Sequence, residues 1–279
     1  MKRLFTFGCS FTAYEWPTWA DILGRQFDYF ENWGRPGAGN QFICNSIAEC
    51  DARNNFTEDD TIIVMWSSMM REDRYVEDGW LTPGNFGVNG EKFNEPGWPE
   101  YYYGKDFYHR SMITRGCYIR DLASMYLVDK LIKSKKCEHH YLSMIDLNFP
   151  GDMYWGYMTY FMQKLKLAKQ SETTNDVLHI YKTLCDQIKP SVHKVVFNYD
   201  WQSRPVLLAP SSKTGKLHRT DWHPIPSEHL EYLQKVLPQY IITDENKAWV
   251  KEVSEQVCNY TFYKNTSWNP LMYRPKIRL

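Results

Sequence analysis

Apolar and polar positions alternate along the chain in blocks that switch repeatedly between strand and helix periods. A strand-forming run, Lys2 to Phe7, stops at Gly8 and is followed by the small polar pair Cys9-Ser10. Trp16, Trp19, Ile22, Leu23 and Phe27 then recur at helical spacing, with Pro17 near the start. Phe27 to Trp33 reads as a second strand. It ends in the glycine-rich turn Gly34-Arg35-Pro36-Gly37-Ala38-Gly39-Asn40, and Ile43, Ile47 and Cys50 mark the next helix, with Asn40 placed to cap it. Thr61 to Trp66 is the clearest buried strand. A long amphipathic helix runs through Ile113, Ile119, Leu122, Tyr126 and Leu131, and a fourth strand covers roughly His140 to Leu147. Val177, Tyr181, Leu184 and Ile188 predict a helix closed by Pro190, and Val192 to Tyr199 a fifth strand. Arg204 to Leu217 is loop-like apart from a short strand at Val206-Leu207-Leu208. Leu230, Leu233 and Leu237 mark the next helix, and Lys247 to Val257 the last. Strands alternating with helices imply right-handed crossovers and a parallel sheet, so the expected class is α/β with five parallel strands.

Two stretches break this pattern. Between Ser67 and about Ser111 the chain is rich in Gly, Pro and aromatic residues without clear periodicity, and a loop of that length is often functional. A second aromatic segment spans Phe149 to Phe161. The expected organisation is an α/β domain over 1–240, with an insertion at about 67–111. A C-terminal helix and tail, 241–279, should pack on the same domain.

Composition narrows the function. Lys plus Arg and Asp plus Glu are both 33, so no net charge draws the chain to nucleic acid or to an anionic membrane, and neither is an expected partner. The 11 Trp, 20 Tyr and 14 Phe exceed what a core takes comfortably, so some should line a cleft. Seven scattered cysteines form no C-x-x-C pair and argue against a disulfide framework and a zinc site. His139 and His140 fall within one strand and point to opposite faces, which disfavours a shared metal. The start is basic, but the apolar run behind it is too short for a signal peptide, and no run reaches the length of a membrane span. A cytoplasmic protein is expected.

The chemistry gathers where strands hand over to helices or loops. Ser10 follows the first strand, Gly37 to Asn40 the second, Ser67-Ser68 the third, and Asp221 with His223 precedes a late helix. Ligands of open parallel sheets bind at such strand ends, and helix N-termini stabilise developing negative charge. Acyl transfer needs a nucleophilic hydroxyl, an imidazole base, a carboxylate to orient it and oxyanion donors. Ser10 also fits a simple helix cap, and Cys9 is a rival nucleophile.

Phe7-Gly8-Cys9-Ser10-Phe11-Thr12, Arg35-Pro36-Gly37-Ala38-Gly39-Asn40 and Asp221-Trp222-His223-Pro224 resemble, in order, the first, second and last blocks of the SGNH (GDSL-like) hydrolases. The resemblance implies a three-layer α/β/α sandwich, flavodoxin-like, with a five-stranded parallel sheet and, here, aromatic-rich loop insertions. It implies Ser10 as nucleophile, His223 as base and Asp221 as its orienting carboxylate. The backbone N–H groups of Ser10 and Gly37 would form the oxyanion hole. The family's third block carries an asparagine donor, whereas this chain reads Trp66-Ser67-Ser68-Met69-Met70-Arg71, so Ser68 or Asn40 is the expected substitute. Asp221 and His223 are also one residue closer than the family's spacing. Arg71, Trp66, Trp80 and Trp222 are the candidate substrate-binding residues. The expectation is a serine esterase acting on an acetyl ester, on a carbohydrate by preference, without metal or cofactor. A non-catalytic ligand-binding protein on the same fold and an acyltransferase using the same triad are the rival readings. Compact chains of this kind are common in phages and bacteria.

Overall fold

The computed structural model describes residues 2–69, 71–77, 79–84, 114–147, 174–199, 207–210, 217–221 and 223–258. Its centre is a parallel sheet built from β1 (Arg3–Phe7), β2 (Tyr29–Asn32), β3 (Asp60–Trp66) and β6 (Glu138–Ser143), in the order β2-β1-β3-β6. Every residue of β3 is buried, and so are the last four of β1, which is why both read as unbroken apolar runs. Phe7 pairs with Val64, Thr6 with Asn32 and Trp66 with Ser143. The chain leaves β1 towards β2 on one side and returns to β3 on the other. The strand order therefore reverses between β1 and β3, the place where open α/β sheets form their binding crevice.

Two groups of helices cover the sheet, as right-handed crossovers in opposite directions require. One contains α1 (Trp19–Gly24), α7 (Pro226–Val236) and α8 (Asp244–Cys258). The other contains α2 (Asn40–Asn54), α3 (Thr114–Ser134) and α4 (Asn175–Ile180). The main core lies between these layers around Leu4, Phe5, Phe7, Ile22, Phe42, Ile63, Met65, Leu122, Leu142 and Tyr232. Each such side chain contributes about 1.5–3 kcal/mol relative to remaining exposed. The mixed α/β class and the parallel sheet match the expectation.

The described residues hold four strands in this sheet, where the pattern predicts five. Val192–Val195 is a helical turn, α6, following the short α5 (Lys182–Cys185). The Ser191 hydroxyl accepts the Lys194 N–H at 3.1 Å and caps α6, so a local polar contact overrides the β-branched run. Among the described residues the sheet continues beyond β6 as a single parallel bridge, Tyr141 with Ile188. The helix expected over 177–188 is likewise interrupted at Tyr181. Within the long aromatic stretch the chain forms a small hairpin, β4 (Arg74–Val76) and β5 (Gly79–Leu81). A second hairpin pairs β7 (Leu207–Pro210) with β8 (Leu217–Asp221). The aromatic segments at 85–113 and 149–161 and the tail from 259 lie outside the described residues.

Helix α2 is not capped as its sequence suggests. Its N-cap is Gly39, and Asn40 is already helical and makes no cap bond. The partner comes instead from beyond β3. Asp73 accepts the Gly39 N–H at 2.9 Å with one carboxylate oxygen and the Phe42 N–H at 2.9 Å with the other. A buried carboxylate thus takes two of the donors that every helix start leaves unpaired. Replacing Asp73 by Ala should lower stability by ~2 kcal/mol in urea denaturation, because both N–H groups are then buried without an acceptor.

Candidate active site

Ser10 sits in a tight turn immediately past β1. The Cys9 carbonyl accepts the N–H groups of Thr12 and Ala13 at 2.9 and 3.1 Å, which curls the chain as soon as the strand ends. Three side chains hold the turn from outside. The Thr12 carbonyl receives the Thr18 hydroxyl at 2.5 Å and the Asn32 amide at 2.8 Å, while Asp21 accepts from the Thr18 N–H at 2.8 Å. Asn32 also accepts the Gly34 N–H at 3.0 Å and so joins the exits of β1 and β2. The helix start at α1 has its own capping box in Thr18 and Asp21, so capping that helix is not the role of Ser10. The Cys9 sulfur is fully buried in the core, 3.6 Å from the Met144 sulfur, which removes it as a surface nucleophile.

His223 reaches this turn from the far end of the sequence. The Trp16 indole N–H donates to the Pro224 carbonyl at 2.8 Å, across 208 residues. The His223 ring stacks on Tyr14 at 3.8 Å between centroids and meets the edge of Phe11, the residue after Ser10, at 5.5 Å. Tyr14 in turn packs on Trp16 at 4.6 Å. A minor apolar cluster of Trp16, Val253 and Val257, with Tyr14, Ile225 and Trp249 against it, backs the pile from α8. Asp221 ends β8, in register with Leu207. Trp222 lies outside the described residues.

The glycine loop lies beside the serine turn. The Arg35 N–H donates to the Gly8 carbonyl at 3.0 Å, extending β2 past the end of β1. Residues 35–38 form a turn closed by the Ala38 N–H on the Arg35 carbonyl at 3.1 Å, with Pro36 second and Gly37 third. Gly37 has φ of 77°, as the third position of a type II turn demands. A Cβ at Gly37 would collide with the Thr82 carbonyl oxygen, so the β4–β5 hairpin and this loop fit only with glycine there. Arg35 ties the two together, donating to the Trp80 carbonyl at 2.5 Å and the Thr82 hydroxyl at 3.2 Å. The Trp80 ring is half-buried against Phe42.

The β1–β3 register ends at Phe7 with Val64, and a Cβ at Gly8 would meet the Met65 carbonyl oxygen, so the two strands leave the sheet side by side. Ser68 is buried there. Asn40 does not aim at this opening. Its Oδ1 accepts the Ser67 N–H at 2.9 Å, and its Nδ2 donates to the Ser67 carbonyl at 3.3 Å and to Asp121 at 3.0 Å. Arg71 is also buried, and its guanidinium donates to the Ala38 carbonyl at 2.6 Å, stapling the glycine loop to the third exit. Trp66 belongs to the core, fully buried with its ring 5.9 Å from Tyr141, so it offers no face to a substrate. That position needs correcting, because a central strand buried on both sides points its last aromatic inward.

No protein-family model matches the chain, and no curated protein matches it. Among solved structures, a member of the lipolytic protein G-D-S-L family from Veillonella parvula aligns with 86% of this chain and 100% of its own. The two are 12% identical, with a TM-score of 0.42, a likeness too distant to carry weight.

The polar residues behind these loops went unread in the sequence. Arg120 and Asp121 on α3 join Asn40, Arg71, Glu72 and Asp73 in a buried group. Arg120 donates to Asp121 at 2.8 Å, to the Arg71 carbonyl at 2.7 Å and to Glu72. The available signal was slight: Asp121 lies on the i, i+4 stripe of Cys117, Met125 and Ile132, a charge on an otherwise apolar face. Burial pushes the Asp121 carboxyl up to about 7, against the pull of Arg120 and the Asn40 amide. Burial pushes Asp73 up to about 6, against its two N–H donors and then Arg71 and Arg120. Among the described residues no group of histidine, cysteine and carboxylate side chains is arranged to hold a metal ion.

Two outcomes follow from this geometry. Gly37→Ala should cost at least ~1 kcal/mol by thermal melting, since an L side chain resists that backbone and meets Thr82. The second concerns pH. Asp73 and Asp121 bind protons more tightly folded than unfolded, where the ordinary value is 3.8. Their contribution is complete below that value and is lost as pH rises through about 6 and about 7. Asp121→Asn should therefore show a shallower loss of stability over this range, read from urea midpoints at successive pH values.

Proposed function

We propose that the protein is a serine ester hydrolase that works through a covalent acyl-serine. The observation that carries this reading is the Trp16–Pro224 bond and the stacked Tyr14, which bring an imidazole from the end of the chain against the serine turn. In this reading the Ser10 hydroxyl attacks the ester carbonyl and passes its proton to His223. The imidazole protonates the departing alcohol and then takes a proton from the water that releases the acid. Asp221, two residues before His223, orients the ring. The N–H groups of Ser10 and Gly37, with Ser68, receive the developing oxyanion. The inward turn of Cys9 supports the hydroxyl over the thiol as nucleophile.

For substrate we favour an acetyl ester, carried on a sugar. Trp80 supports this choice, since its half-buried ring lies beside the glycine loop, and such rings stack on the apolar faces of sugars. The commitment of Asn40 to Ser67 favours one second reading, a ligand-binding protein that does not turn over, because Asn40 is then not free to serve as the asparagine donor of the resembled family.

Turnover of a chromogenic acetate ester separates the two. Ser10→Ala should lower kcat on the order of 10⁴-fold or more, with the melting temperature nearly unchanged. A fluorophosphonate should label Ser10 in the wild type and nothing in the variant. An unlabelled Ser10 with bound ester intact would favour the binding protein, and an adduct on Cys9 would reverse the choice of nucleophile.

A further inference from the structure

Asn40 is fully buried, is the first residue of α2 and does not cap it, because Asp73 already does. Its amide instead takes both backbone groups of Ser67, accepting the N–H at 2.9 Å and donating to the carbonyl at 3.3 Å. A primary amide offers an acceptor and a donor on one small planar group. The remaining Nδ2 proton goes to Asp121 at 3.0 Å. That contact decides which way round the amide lies, since a flipped amide would set its oxygen against a carboxylate oxygen. Arg120 holds the other Asp121 oxygen at 2.8 Å and donates to the Arg71 carbonyl at 2.7 Å. The exit of β3 is thus gripped at two points from α3: at Ser67 through Asp121 and Asn40, and at Arg71 through Arg120. Ser68, itself buried, lies between the grips along the chain. The Ser67 hydroxyl, fully buried, finds no acceptor or donor among the described residues, so the grip on this residue is through its backbone.

We propose that Asn40, oriented by Asp121, is a positioning residue that fixes the Ser67–Ser68 segment as one wall of the oxyanion site. The proposal rests on the serine-hydrolase reading and assigns Asn40 an indirect part in it. Oxyanion donors act by being placed before the charge develops, and a misplacement of about 1 Å can cost ~100-fold in rate. An asparagine that holds the backbone of a neighbouring serine would substitute for an asparagine donor that this chain lacks.

The test uses the full chain, a chromogenic acetate ester and the rate of fluorophosphonate labelling at Ser10. Asn40→Asp keeps the shape and the acceptor for the Ser67 N–H and, once ionised, removes both donors, so the assay is run above the pH of about 7 at which Asp121 loses its own proton. The substitution should lower kcat and the labelling rate together by about 10- to 100-fold, with KM within about twofold. Combining it with Asp121→Asn restores a donor–acceptor pair between the two positions in reverse, and should recover part of kcat. Asp121→Asn alone keeps an acceptor for Asn40 and should lower kcat less. A folded Asn40→Asp with wild-type kcat would overturn the proposal and leave the hydrolase reading standing. If that variant does not fold, unchanged kcat in folded Asp121→Asn overturns the proposal equally. A wild type that neither turns over nor labels at Ser10 removes the hydrolase reading, and this inference with it.

Discussion

Two N–H groups at the start of α2 have no partner within their own helix, and the carboxylate that takes them belongs to a loop 31 to 34 residues further along the chain. Much of the candidate site depends on that exchange. Asp73 sets where α2 begins, and therefore where the glycine loop before it must end. Asn40 and Arg71 then cross-link the loop and the third strand's exit in both directions, through Ser67 and through the Ala38 carbonyl. The loops at the switch point of the sheet are held by buried hydrogen bonds to backbone groups, which fix position more tightly than apolar contact alone.

Such a group is costly to bury. Three buried carboxylates, Glu72, Asp73 and Asp121, face the buried guanidinium of Arg71 and the half-buried one of Arg120. Desolvation of buried ions commonly rivals their attraction, so the cluster is weak evidence for stability as such. Its value is geometric: Asp73, Arg71 and Arg120 each end on a backbone amide or carbonyl of the loops at the site. Burial is also why Asp73 and Asp121 hold their protons to about 6 and about 7.

His223 is held by different means. Aromatic rings give its surroundings area and orientation, and one indole hydrogen bond fixes the height of the following proline. The backing from α8 makes the last described helix part of the same support: Asn246 donates to the Ile22 carbonyl at 2.6 Å, and Arg25 lies over Trp249 at 4.3 Å. Part of the unusual aromatic content therefore packs around the site as structural filling.

The strands of the sheet and most helices were legible because burial leaves a period in the sequence, and the largely apolar runs at 4–7 and 61–66 read as central strands. The glycine-rich turn at 34–39 was legible too, although the positive φ of Gly37 came only with the structure. Short polar contacts that compete with propensity were not. Ser191 turned an apparent fifth strand into a helix, and Asp73 displaced Asn40 from its expected cap. Trp66 looked like a residue at the rim of a site and proved to be core, because alternation cannot say which side a strand's last residue faces when both sides are buried. By itself, then, the sequence determined the α/β class, the parallel order of elements and the strand ends where chemistry could gather, since these follow from hydrophobic period and turn residues within one segment. Only the tertiary structure decided that Cys9 turns inward, that Asn40 grips Ser67 and that His223 lies against Tyr14 and Phe11. Those are contacts between segments far apart in the chain, chosen by the packing of the whole and written in no local pattern.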